Sequence, residues 1–233
     1  MLRADNLTYR HGGRVVLDAL DLQVDSREIV ALVGPDAAEK TAAIECFLGL
    51  RVADAGCVCV AGFDVADEPS SAAANLAVVP ARLALPDRVN GLRYAGAVCA
   101  ERGQHLSDAV LRAGLLRAGI PPEWHARQIA GYSPALRRQL AFAVATLKNT
   151  PVLIFDDPTA DLVGADLDHF VASLRRLRKR GKAILLATRD FDFARRLATR
   201  IVVMENGAMV ELLDPNASRQ TFNAASYLAE LVG

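Results

Sequence analysis

Gly34, Lys40 and Thr41 stand in the run Gly-Pro-Asp-Ala-Ala-Glu-Lys-Thr at three fixed positions of the phosphate-loop pattern G-x-x-x-x-G-K-[ST]. In such a loop a strand turns into a helix whose first N–H groups, a lysine and a hydroxyl grip a triphosphate and its magnesium. Glu39 occupies the position of the last glycine. A side chain there crowds the phosphate oxygens and adds a negative charge beside others. At 4 Å and an effective dielectric near 20, a unit repulsion is worth roughly 4 kcal/mol before the side chain swings away. Ala37 likewise stands where such loops usually carry glycine, so the expectation is a backbone that suits glycine better than alanine. A second acidic stretch, PVLIFDDPT, ends an apolar run in Asp156 and Asp157, two carboxylates of the kind that hold a metal and accept a proton.

The elements that must position these groups are legible from their patterns. Residues 28–33 form a continuous apolar, β-branched run, which predicts a strand buried on both faces of a parallel sheet. Residues 2–24 alternate apolar and polar around Gly12 and Gly13 and predict antiparallel strands, with Tyr9 and His11 as side chains able to stack on a base or simply to occupy a strand and a turn. A helix is expected from the loop through residue 50, then strand and turn over 56–65 and a short strand at 76–80. Residues 88–130 show helical spacing broken by Gly119, Pro121 and Pro122. Tyr132, Ser133 and Pro134 start a helix through Leu147, proline fitting a first turn whose N–H is not needed. After the acidic strand come a charged helix to about Arg180, a strand over 183–188, a helix over 191–198, a strand over 201–205, a hairpin turn at Asn206-Gly207, and short helices beyond Asn216. The sum is an α/β fold of P-loop NTPase type: a mainly parallel sheet, an antiparallel β subdomain, and a helical subdomain inserted at 82–147 in one domain of 1–233.

Composition sets outer bounds. With 52% hydrophobic residues among 233, the chain can bury a substantial core and is long enough for one large domain or one domain with an inserted subdomain. Its 27 basic and 27 acidic residues cancel, which gives no global field for nucleic acid, and no nucleic-acid partner is expected. The basic run Arg175, Arg176, Arg178, Lys179 and Arg180 is accounted for by the dipole of the helix it closes. Cys46, Cys57, Cys59 and Cys99 lack zinc-site or redox-pair spacing and read as small apolar residues in a reducing cytoplasm. No apolar run approaches the ~20 residues that span a bilayer, and the N-terminus lacks a secretory pattern.

Taken in order, GPDAAEKT, YSPALRRQLAFAVATL, PVLIFDDPTADL, LLATRD and RIVVMENGAMVE resemble the landmarks of the ATP-binding domain of ABC transporters over nearly the whole chain. The LGL, DAG and GFDV pieces at 48–64 are most similar to exporter-type members. The resemblance implies ATP and Mg²⁺ as cofactors, a second ATP-binding domain as partner in a homo- or heterodimer, and a transmembrane subunit docked through residues 81–105. It also implies a place on the cytoplasmic face of the cell membrane.

It assigns ATP contacts to Gly34, Glu39, Lys40, Thr41, His11 and Ser133, and metal binding to Thr41 and Asp156. Asp157 takes the place of the family's general base and Arg189 that of a histidine facing the γ-phosphate. The chain departs from the family at Glu39, at Asp157 where a longer glutamate is usual, at Ala81 in place of a glutamine, and at Val163 in place of an aspartate. The signature reads Tyr132, Ser133, Pro134, Ala135, Leu136 instead of leucine, serine, glycine, glycine, glutamine. Pro134 has no N–H to offer a partner's nucleotide. The reading that follows is a degenerate pseudo-ATPase subunit kept for its shape. A working but slow ATPase energising export, with Glu39 bent outward, and a soluble scaffold without membrane partner are the alternatives.

Overall fold

The computed structural model describes residues 1–213; the helices expected beyond Asn216 lie outside them. Two sheets form. Strands β1 (Leu2–His11), β2 (Arg14–Val24), β4 (Ala55–Val60) and β5 (Phe63–Asp64) make an antiparallel sheet in the order β2-β1-β4-β5. Strands β3 (Ile29–Val33), β6 (Leu76–Val79), β7 (Val152–Asp156), β8 (Ala183–Thr188), β9 (Arg200–Glu205) and β10 (Ala208–Leu213) make the second, in the order β10-β9-β3-β8-β7-β6. The last five are mutually parallel and β10 runs antiparallel at the edge.

β3 is buried along its whole length. Its odd residues Ile29, Ala31 and Val33 enter one core and its even residues Val30 and Leu32 another, as a strand's alternation requires. The second core lies under helix α1 (Ala37–Phe47) and the antiparallel sheet. The first is filled from helices α3 (Gly91–Ala100), α4 (Asp108–Arg117), α5 (Pro134–Leu147), α6 (Gly164–Lys179) and α7 (Phe191–Leu197). Phe142, Phe155 and Phe170 meet there with ring centroids 5.1–5.8 Å apart, each pair worth about 0.5–1.5 kcal/mol beyond its burial.

Element ends follow local chemistry. α1 stops at Phe47, three residues before the expected end, because Gly49 takes a left-handed φ of 69°. The turns Gly12-Gly13 and Asn206-Gly207 both have two positive φ values, the mirror-image type that closes hairpins. Ser133 caps α5 with Pro134 in its first turn, as the sequence predicts. A short helix, α2 (Pro69–Ala74), was not anticipated; Pro69 and three alanines build it. No helix among the described residues is long and apolar enough to cross a membrane.

Candidate functional site

The phosphate-loop region lies between the end of β3 and the start of α1, facing the end of β7. Gly34 owes its place to close packing: a β-carbon there would stand 2.5 Å from the Met204 carbonyl oxygen on β9. No residue between Gly34 and Lys40 has a positive φ, so Ala37 sits in the first turn of α1 without strain, contrary to the expectation of a glycine-only backbone. Asp36, which the sequence reading passed over, is the N-cap of α1, and its Oδ1 accepts from the Ala38 N–H at 2.7 Å. An aspartate directly before a helix start is a readable cap signal.

Lys40 is folded back onto the loop. Its Nζ donates to the Gly34 carbonyl at 2.6 Å and the Asp36 carbonyl at 2.8 Å, and only 3% of the residue is exposed. Burial lowers its pKa, against the opposing pull of Asp36 and Glu39, while Arg189 pushes further down. Glu39 is half-buried; desolvation raises its pKa, and the Gly207 backbone in the turn after β9 draws it back. Arg14, paired across the β1–β2 turn with His11, also acts on Glu39, which places that turn beside the loop. His11 itself is exposed and stacks on Tyr9 at 6.5 Å, 23° between planes. Tyr9 in turn accepts from Arg51, which pairs with Glu45.

Thr41 donates from Oγ1 to Asp156 Oδ2 at 3.4 Å. Desolvation raises the Asp156 pKa, helped by Asp157 and opposed by Thr41 and Lys40. Asp157 follows at φ 42°, a left-handed angle that aspartate tolerates better than most residues, and its N–H donates to the Ala187 carbonyl at 2.8 Å. Arg189 is exposed and makes no hydrogen bond or ion pair with the described residues. The structure thus brings Gly34, Glu39, Lys40, Thr41, Asp156, Asp157 and Arg189 around one loop.

Ser133 belongs elsewhere: its hydroxyl accepts from the Leu136 N–H at the start of α5, a helix packed on α3, α4 and β6. Tyr132 is turned inward, 5% exposed, with its hydroxyl donating to the Trp124 carbonyl at 2.6 Å. Val163 is 80% exposed and starts α6 without a side-chain cap.

Sequence reasoning also missed Arg138. Only 4% exposed, it donates to the Pro80 and Ala81 carbonyls at 2.9 and 3.0 Å and to Asp161 Oδ2 at 2.9 Å. The signal was its place four residues before Phe142 and seven before Ala145, on the buried stripe of α5.

The donor set suits a metal better than a triphosphate. Thr41 and Asp156 are the hydroxyl and carboxylate that a magnesium ion would use, and such an ion takes its remaining ligands from water and substrate phosphates. Among the described residues no group of three or more His, Cys, Asp or Glu side chains forms a protein-only metal site. At the phosphate position, Asp36 takes one of the free N–H groups of α1, and Asp36 and Glu39 place two carboxylates next to Lys40.

A parallel sheet whose strand turns through a lysine-bearing phosphate loop into a helix, with a carboxylate at the end of a further strand, defines a P-loop nucleotide-binding domain. The family model described as ABC transporter matches residues 17–160, and the chain belongs to that family. A Nod factor export ATP-binding protein I of Paraburkholderia xenovorans is 32% identical over 220 residues, covering 91% of this chain and 70% of that protein. The daunorubicin resistance ATP-binding protein DrrA2 of Streptomyces coeruleorubidus is 30% identical over 213 residues, 90% of this chain. The chain spans 65% of that relative's length and 62% of the doxorubicin resistance ATP-binding protein DrrA of Mycobacterium tuberculosis. Among solved structures, an ATP-binding subunit of an ABC transporter superposes with a TM-score of 0.87 at 22% identity over the full length of both chains. A dimeric ATP-binding cassette bound to ADP and phosphate superposes at 0.84 with 18% identity, covering 94% of this chain and all of the other. Both likenesses bear on fold.

Proposed function

We propose that this chain is the ATP-binding subunit of an export-type ABC transport complex in which its own hydrolysis is weak or lost, serving as a structural or regulatory partner to membrane subunits. The observation that carries the reading is a loop closed on itself. Lys40 spends two donors on loop carbonyls, and the Asp36 carboxylate caps the helix where a phosphate would sit. Asp157 in place of a longer base and Pro134 at the first turn of α5 support it from two further positions. The chain would pair with a second ATP-binding domain, whose nucleotide the start of α5 at Ser133 would meet, and with a transmembrane subunit through residues 81–105 at the cytoplasmic face of the membrane.

A second reading, a working but slow ATPase, is favoured by one observation. The Gly207 backbone draws the Glu39 pKa down, so a polar neighbour outside the loop is within reach of a side chain turned away from the phosphate position. Calorimetric titration of the full chain with Mg-ATP, alongside Lys40→Ala, separates the two. The proposal expects binding weaker than about 100 µM, or none, and turnover below about 1 s⁻¹. Micromolar binding abolished by Lys40→Ala, with turnover within the ordinary ~1–1,000 s⁻¹ of enzymes, would establish the working ATPase instead.

A further inference from the structure

Far along the chain from the phosphate loop, the C-terminal ends of α4, α5 and α6 converge on a cleft of about 110 Å³. Its floor is apolar, with Ala118, Phe142, Leu147 and Leu177. Around it stand four cations, Arg117, Arg176, Arg180 and Lys182, and among the described residues no carboxylate lines it. Helix dipoles alone do not explain this wall. Each helix end carries about −0.5 of a charge, so three together give about −1.5 against four full positive charges.

Nor are the cations consumed by partners. Arg117 and Arg180 make no side-chain hydrogen bond or ion pair with the described residues. Arg176 spends one N–H on the Ser173 hydroxyl at 2.7 Å, and Lys182 donates to Asn149 Oδ1 at 2.8 Å and its carbonyl at 3.0 Å. Other members of the same basic run are tied down away from the cleft: Arg175 donates to the Arg196 carbonyl and Arg178 to the Arg27 carbonyl. Burial holds the Lys182 pKa below its usual value, as expected of a cation without a counter-charge.

We propose that this cleft binds a small amphiphilic anion, a phosphate or carboxylate head on an apolar body of one ring or a short chain. The size follows from the space: a closed cavity of about 150 Å³ lined by aliphatic and aromatic groups takes one benzene. The head meets the guanidinium groups at the open rim and the body lies on Phe142 and Leu147. Because α4 and α5 form one wall and α6 the other, an occupant ties the helical segment to the sheet's flanking helix. The site is independent of the reading of the phosphate loop.

The probe is 4-fluorophenyl phosphate, followed by fluorine NMR on the full chain and on Lys40→Ala, which disarms the phosphate loop. The expected result is saturable binding, unchanged in Lys40→Ala and weakened at least about tenfold in Arg117→Gln/Arg180→Gln. Lys182→Met supplies a second, single-site variant should the double variant melt early, and it too must weaken binding. Inorganic phosphate and fluorobenzene, each carrying half of the recognition, should bind at least about tenfold more weakly than the whole probe. Three results would overturn the proposal: no saturable binding, binding lost in Lys40→Ala but kept in the cleft variants, or inorganic phosphate binding as tightly as the probe.

Discussion

Glu39 and Asp156 decide how the loop behaves, and both are carboxylates that burial makes uncomfortable. Glu39→Gly removes a negative charge beside the phosphate position and should tighten Mg-ATP binding about tenfold, ~1.4 kcal/mol by calorimetry. That is a fraction of the roughly 4 kcal/mol of a bare pair at 4 Å, since the Glu39 side chain is half-exposed and the Gly207 backbone already draws on its charge. Asp156 works through pH. Its folded pKa lies above the ordinary 3.8, so the folded protein holds that proton more tightly than the unfolded chain does. The stabilising protonation is present at low pH and lost as pH rises from about 3.8 through the raised value. Asp156→Asn should therefore raise the Tm of the ligand-free chain at pH 7 by about 2 °C, a gain that shrinks toward pH 3.8 in thermal melts.

At the scale of elements, the loop's retained glycine answers to a neighbouring strand. β9 runs parallel to β3, and the Met204 carbonyl occupies the space a β-carbon at Gly34 would need. Gly34→Ala must push β9 away and should lower unfolding free energy by roughly 1–3 kcal/mol in urea, whatever its effect on nucleotide. Ser133 and Pro134 show the same double allegiance, since the hydroxyl caps α5 and the proline suits its first turn. Val163 is the contrary case. It leaves α6 without a side-chain cap, so departure from the family pattern there has no structural benefit that these contacts reveal.

Across the whole molecule, Arg138 joins three regions that the sequence keeps apart: the loop after β6, the segment after β7, and α5. If a membrane subunit docks on residues 81–105 as proposed, it would push against the carbonyl of Ala81, which Arg138 ties to Asp161, and the Ala81 backbone also acts on Asp156. Arg138→Met keeps the length but leaves Asp161 and two carbonyls without their donor. It should destabilise by about 3 kcal/mol in urea denaturation, the low end for breaking a buried pair because Asp161 is partly exposed.

Much of this architecture is written locally. β3 shows itself as five consecutive apolar residues, α5 as a serine, a proline and a 3.6-residue stripe, the hairpin at Asn206-Gly207 as a dipeptide suited to positive φ. Apolar periodicity, caps and turns depend on neighbours within a few residues, so they can be read from order alone. The phosphate loop, its misplaced Glu39 and the two carboxylates after β7 were legible for the same reason. Only the tertiary structure decided that Gly34 faces Met204, that the Gly207 backbone draws on Glu39, that Arg138 reaches Ala81, and that four cations share one cleft without an acid among the described residues. Those pairings reach across as many as 170 positions of the chain, where parallel crossovers and helix packing, not local preference, set who meets whom.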